Sequence, residues 1–317
     1  MLSPDLPTDA RRTTRVMFVE KTCASRSDAG NAKEGLHLAI GGLPDRPEAA
    51  LSEALAAREQ RGVRVPVVTL LVRDRHDAEV IPAALAWLSS RGRQVIVRTR
   101  MVLPKPVVLA LAEVRREQGN VVVELELAHH KPVLQRALLG PRADTAAALL
   151  LQAQHLETLG IPVVARLAPL LPGVHDQAGP GHKPGIETLL RNVEAAALRR
   201  VVLEIGELDV SQLVALVRAQ RELSGAGLLE LGKAFGIDAM VMLGASQPEG
   251  EGPYRLKPRR AVALLASLEA WVRAVGLELP ACGCRAHCAL ITPRSANAYE
   301  AGYESVLGRD LFAGLTY

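Results

Sequence analysis

Residues 94–128, QVIVRTRMVLPKPVVLALAEVRREQGNVVVELELA, hold a β-branched run, a helical stretch and a second β-branched run in direct succession. Gln94 to Thr99 reads as a strand, a helix is expected near Lys105 to Glu117, and Val121 to Ala128 reads as the next strand. Two short strands joined by a helix form a βαβ unit, with parallel strands and the helix covering one face. The alternation continues in both directions. Upstream lie the runs Arg15 to Glu20 and Leu36 to Ile40, a helical pattern from Pro47 to Arg61, a strand from Val65 to Val72 and a helix near Ala78 to Ser90. Downstream come a helix near Asp144 to Leu159, a strand from Ile161 to Leu167, a helix from Ile186 to Leu198 and a strand from Val201 to Ile205. A helix from Val210 to Leu223, an extended run from Ile237 to Leu243 and a helix from Arg259 to Val275 complete the pattern. About seven to nine such units favour an α/β fold built as a parallel (β/α) barrel, complete or partial and TIM-like. The expected division is a disordered or extended leader over 1–14, the barrel over 15–280, and a cysteine-containing tail over 281–317 packing on the barrel.

Composition narrows the function classes. The chain has 317 residues, 49% apolar and 23% charged, which excludes a disulfide-stapled miniprotein and a disordered acidic chain. Aromatics are only 3%, so the core must interdigitate Ala, Leu and Val, and stacking of unpaired bases has little to work with. The net charge of +4 is compatible with an anionic partner, but no long Lys/Arg run marks one. No stretch approaches the roughly 18 apolar residues that span a bilayer, and MLSPDLPTDARRTTR at the N-terminus lacks an apolar signal core. A cytoplasmic protein without a membrane partner is expected.

The strand ends are charged in a pattern. Glu124 and Glu126 share one parity of VVVELELA, Arg98 and Arg100 share one parity of VIVRTR, Arg166 ends VVAR, and Glu204 interrupts VVLEI. Parallel strands are normally apolar on both faces, so these groups mark either a polar barrel mouth that binds a ligand or a set of structural ion pairs. His129, His130 and Lys131 follow the strand at 121–128, and a long Gly/Pro loop runs from Leu171 to Gly185. Its His175, Asp176 and His182 lack zinc-ligand spacing. Gly41 and Gly42 allow close backbone approach to a ligand, or only a tight turn.

Three of the four cysteines, Cys282, Cys284 and Cys288, share one short loop, while Cys23 lies near the other terminus. Thiolates at C-x-C-x3-C spacing can converge on one soft centre, an iron–sulfur cluster or zinc. Cys23 is a candidate fourth ligand. A closed four-thiolate set suits a structural metal, whereas a three-thiolate set leaves one iron open.

The segment VVTLLVRDRHDAEVIPAALAWLSSRGRQVIVRTR together with ALLGPRADTAAALLLQAQHLETLGIPVVARLAPLLPGVHD resembles the core of radical S-adenosylmethionine proteins, in the spore photoproduct lyase-like and DNA-repair-photolyase-like branch. The most specific part runs from Leu156 to Asp176. That family carries its C-x3-C-x2-C motif after the first barrel strand; here Cys284 and Cys288 match only the C-x3-C portion, and Ile291 stands where the third cysteine would be. The resemblance implies a [4Fe-4S] cluster on Cys282, Cys284 and Cys288 and reductive cleavage of S-adenosylmethionine to a 5′-deoxyadenosyl radical. It implies that Gly41 and Gly42 meet the methionyl amine, and that Glu126 and Arg166 bind the ribose and carboxylate. An electron donor and an unidentified substrate, with nucleic acid among the candidates, follow from the same resemblance. The competing expectation is a non-catalytic barrel that keeps a structural cluster or zinc as a binding or partner module.

Overall fold

The computed structural model describes residues 15–21, 35–60, 64–119, 121–176, 184–223, 225–246, 248 and 253–279. Seven strands form one sheet: β1 (Arg15–Lys21), β2 (Gly35–Gly41), β3 (Arg64–Val72), β4 (Gln94–Thr99), β5 (Val121–Leu127), β6 (Val163–Leu170) and β7 (Val201–Ile205). They lie in sequence order. β1 is antiparallel to β2, and β2 through β7 are all parallel. Helices α1 (Pro47–Glu59), α2 (Arg75–Ser89) and α3 (Lys105–Gln118) link successive parallel strands; α4 (Pro132–Leu139) and α5 (Ala146–Thr158) join β5 to β6, and α6 (Gly185–Ala195) joins β6 to β7. When each parallel strand lies beside its predecessor and the crossovers share one hand, the helices fall on one face and the sheet curls away from them. The result is a partial TIM-like barrel. Among the described residues β1 and β7 remain its two edges.

Parity along the strands shows the two faces. Val95, Val97, Val121, Val123, Leu125, Val163, Ala165, Val201 and Leu203 belong to the large apolar core shared with the helices. The alternate positions Leu71, Ile96, Val122, Val164 and Val202 are also buried, yet lie outside that cluster, on the concave face. Local chemistry ends the helices where the pattern requires. Asp74 caps α2 by accepting from Asp77 N at 3.0 Å, Thr145 caps α5 by accepting from Ala148 N at 3.2 Å, and Gly119 ends α3 with φ 73°.

Beyond β7 the chain adds α7 (Val210–Arg218), a 3-10 turn (Gln220–Glu222), α8 (Gly225–Phe235), α9 (Ala239–Met242) and α10 (Pro258–Val275). α10 returns to cover α6 and β7, whereas α4, α7, α8 and α9 build a second apolar cluster around Leu134, Leu138, Leu171, Leu213 and Leu231. Three expectations change here. The run Ile237 to Leu243 is helical over Ala239–Met242 because Asp238 caps it, accepting from Met240 N at 2.7 Å, and Met242 lies against Gly232 of α8. Helices α4 and α8 occupy stretches to which the sequence pattern assigns no element. Six parallel strands, rather than seven or more repeated units, make up the barrel among the described residues. No helix among them is long and apolar enough to cross a membrane.

Candidate functional site at the mouth of the sheet

The charged strand positions all fall on the concave face and resolve into two storeys. The lower storey is a chain of ion pairs across four strands. Arg98 on β4 donates from Nε to Glu124 Oε2 at 2.5 Å; Glu124 Oε1 accepts from Arg166 NH1 at 3.3 Å; the other terminal nitrogen of Arg166 pairs with Glu204 on β7. Arg98 is level with Glu124 in the register, Arg166 is level with Glu126, and Glu204 lies two residues beyond Arg166's partner Val202, so the chain climbs as it crosses the sheet. That climb is the stagger a tilted barrel imposes. The Glu124 side chain is fully buried and that of Arg166 is 3% exposed, so their charges are tolerable only because each faces its opposite.

The upper storey is different. Arg100 follows β4 directly, two residues after Arg98, and Glu126 lies two residues after Glu124 on β5. One terminal nitrogen of Arg100 donates to Leu139 O, while its Nε is buried without a partner among the described residues. Glu126 is half-buried, and no hydrogen bond or ion pair of its carboxylate occurs among the described residues. Burial holds the Arg100 guanidinium below its ordinary value, with the charge of Glu126 opposing that shift. The lower groups are thus structural ion pairs, while Arg100 and Glu126 keep polar atoms without a partner among the described residues.

Buried amides brace the loops around that mouth. Gln135 of α4, fully buried, accepts from Ala128 N at 2.8 Å and His129 N at 2.9 Å, and donates to Glu126 O at 3.3 Å. Gln152 of α5 holds Leu103 N and Leu103 O, each at 2.8 Å, and Asp144 accepts from Val102 N at 2.7 Å. These brackets escaped the sequence reading. Their one available signal is an amide at apolar helical spacing, as where Gln135 stands beside Leu134 and Leu138. Replacing Gln135 by Leu orphans two buried N–H groups and is expected to cost about 3 kcal/mol, read as a lowered urea midpoint at unchanged slope.

Two loop histidines are structural. His175, fully buried, donates from Nε2 to Ala128 O at 2.6 Å and accepts at Nδ1 from Leu171 N at 3.0 Å, tying the loop after β5 to the loop after β6. His129 accepts at Nδ1 from Lys131 N at 3.0 Å. Burial, reinforced by His175, His130 and Lys131, lowers His129 to about 2. Burial also lowers His175, opposed by its backbone hydrogen bonds.

Of the residues singled out from the sequence, Gly41 and Gly42 end β2, with Gly42 at φ 66°, a turn that favours glycine. Glu126 stands at the mouth and Arg166 lies below it, engaged by Glu124 and Glu204. Cys23, Cys282, Cys284 and Cys288 lie outside the described residues, as do 177–183 of the long loop. The chain leaves β1 at Lys21, which pairs with Leu36 at the start of β2, two residues before Cys23. At the other edge Glu278 forms a parallel bridge to Arg200 just before β7, also at the end of the sheet where the parallel strands begin. Among the described residues no group of His, Cys, Asp and Glu is placed to hold a metal ion.

No protein-family model matches the chain. No curated protein matches it either. Among solved structures it is similar to Streptococcus suis SuiB bound to S-adenosylmethionine, at 13% identity and a TM-score of 0.35 over 59% of this chain and 44% of SuiB. The chain spans less than half the length of that protein. A likeness of this size carries no argument about function, which rests on the chemistry of the mouth.

Proposed function

We propose that the chain is a radical S-adenosylmethionine-type iron–sulfur protein whose ligand site is the mouth of the partial barrel. One observation carries the reading: beyond a ladder of ion pairs, Glu126 near the end of β5 and Arg100 just after β4 carry polar atoms that the described protein does not satisfy. A carboxylate beside a guanidinium complements a zwitterion, and Glu126 also suits a sugar hydroxyl, so the mouth fits the amino-acid and ribose parts of S-adenosylmethionine. In this reading Glu126 and Arg100 orient the ligand, Arg166 holds Glu124 and Glu204 beneath it, and the turn at Gly41 and Gly42 keeps the rim of β2 free of side chains. Cys282, Cys284 and Cys288 are assigned to a [4Fe-4S] cluster, with Cys23 as a candidate fourth ligand. A bound cluster supplies the single electron for reductive cleavage, taken from an electron donor. The substrate class stays open.

The test combines anaerobic cluster reconstitution, equilibrium dialysis with S-adenosylmethionine and a 5′-deoxyadenosine assay under dithionite. Glu126→Gln is expected to weaken S-adenosylmethionine binding by about tenfold or more while leaving stability within about 0.5 kcal/mol. A brown protein that releases no 5′-deoxyadenosine sinks the enzymatic reading. The second reading, a non-catalytic barrel with a structural cluster or zinc, is favoured by one observation: residues 42–46 after β2, GLPDR, hold no cysteine, where the resemblance would place the cluster loop. Zinc in a colourless protein purified anaerobically would establish it.

A further inference from the structure

His130 differs from its two neighbours in how its ring is held. It lies three residues beyond the end of β5, is half-buried, and stacks on His129 with ring centroids 4.3 Å apart at 29°. Its Nδ1 lies 3.3 Å from Gly185 O, and a carbonyl can only accept, so Nδ1 carries the hydrogen. In the neutral ring Nε2 is then a lone pair, and it meets no partner among the described residues. His129 and His175 show the reverse arrangement, with Nδ1 occupied by a backbone N–H. A histidine oriented through Nδ1–H on a backbone carbonyl, with Nε2 open, is set up to accept a proton.

We propose that His130 Nε2 is the proton acceptor of the mouth, taking a hydrogen bond, and in turnover a proton, from a hydroxyl or ammonium group of the bound ligand. The transfer moves one proton to Nε2 and leaves the bonding pair on the ligand's oxygen or nitrogen. Burial holds His130 below its ordinary value, joined by the charges of Lys131 on its own loop and His175 from the loop after β6 and opposed by its bond to Gly185, while His129 stacks on the ring. Asp176 faces His175, and Glu222 of the 3-10 turn is engaged by Lys131. The proposal rests on the mouth being the ligand site, and the experiment separates the two.

Long-range 15N–1H spectra of the full chain at pH 7.5 are expected to show His130 as the Nδ1–H tautomer and His129 and His175 as Nε2–H. Diethyl pyrocarbonate, followed by peptide mapping, is expected to modify His130 at least tenfold faster than His129 or His175. Relative to an unstructured histidine peptide in the same tube, that reactivity should rise as the pH falls from 7.5 to 5, because the peptide protonates near pH 6.5 while burial holds His130 below that value. An Nε2–H tautomer, or a His130 as inert as His129, overturns the proposal. Where S-adenosylmethionine binds in dialysis, it must slow the modification of His130; binding without protection also overturns the proposal. Where it does not bind, the functional reading fails, and tautomer and reactivity still decide the acceptor.

Discussion

Glu124→Gln is expected to destabilise the protein by about 3 to 5 kcal/mol, the largest single loss predicted for the concave face. Glu124 is fully buried between Arg98 and Arg166, and its two carboxylate oxygens serve one guanidinium each. An amide of the same shape fills the space but removes the negative charge that faces both guanidinium groups in low dielectric, while Glu204, at the 23%-exposed end, still faces Arg166. Glu204→Gln should therefore cost visibly less, because water reaches that end of the chain. Urea unfolding of both variants gives the order. If Glu124→Gln fails to fold, Arg98→Met combined with Glu124→Gln removes the excess charge and should recover part of the loss. A cost below about 1 kcal/mol for Glu124→Gln would mean that the ladder does not hold the sheet's interior together.

The same ladder shows what the sequence could and could not reveal. Period-two alternation places Glu124 and Glu126 on one face, and the register confirms it, because side-chain parity is a local property of a strand. Which of the two carboxylates is satisfied is not local. It depends on the stagger between β5, β6 and β7, which brings Arg166 to Glu124 even though the register sets it level with Glu126. Helix α4 shows the same limit: eight residues with Gln135 in the apolar stripe make a weak periodic signal, and the helix is stabilised by distant partners on α7. Asp238 could have indicated α9 as a cap, but the apolar run after it equally suits a buried strand, and only Gly232 on α8 decides in favour of the helix.

Acidification is the second large effect, and its sign follows from His129. In the unfolded chain this residue titrates near 6.5; in the folded protein burial lowers it to about 2. Below pH 6.5 the unfolded state therefore binds a proton that the native state refuses, so stability is complete above that pH and drains away as pH falls toward 2. His129 alone removes about 2 kcal/mol between pH 7 and pH 5 and about 3 kcal/mol by pH 4. His175, fully buried and also lowered, pulls in the same direction. Carboxylates contribute to acid unfolding as well, so the decisive measurement is a difference. In His129→Asn the side-chain oxygen can still accept from Lys131 N, but nothing at that position titrates. The slope of unfolding free energy against pH between 6 and 4 should be shallower in the variant by about 1.4 kcal/mol per pH unit. Equal slopes would show that His129 takes up its proton in the folded state, which its 3% exposure and its neighbours His175 and Lys131 oppose.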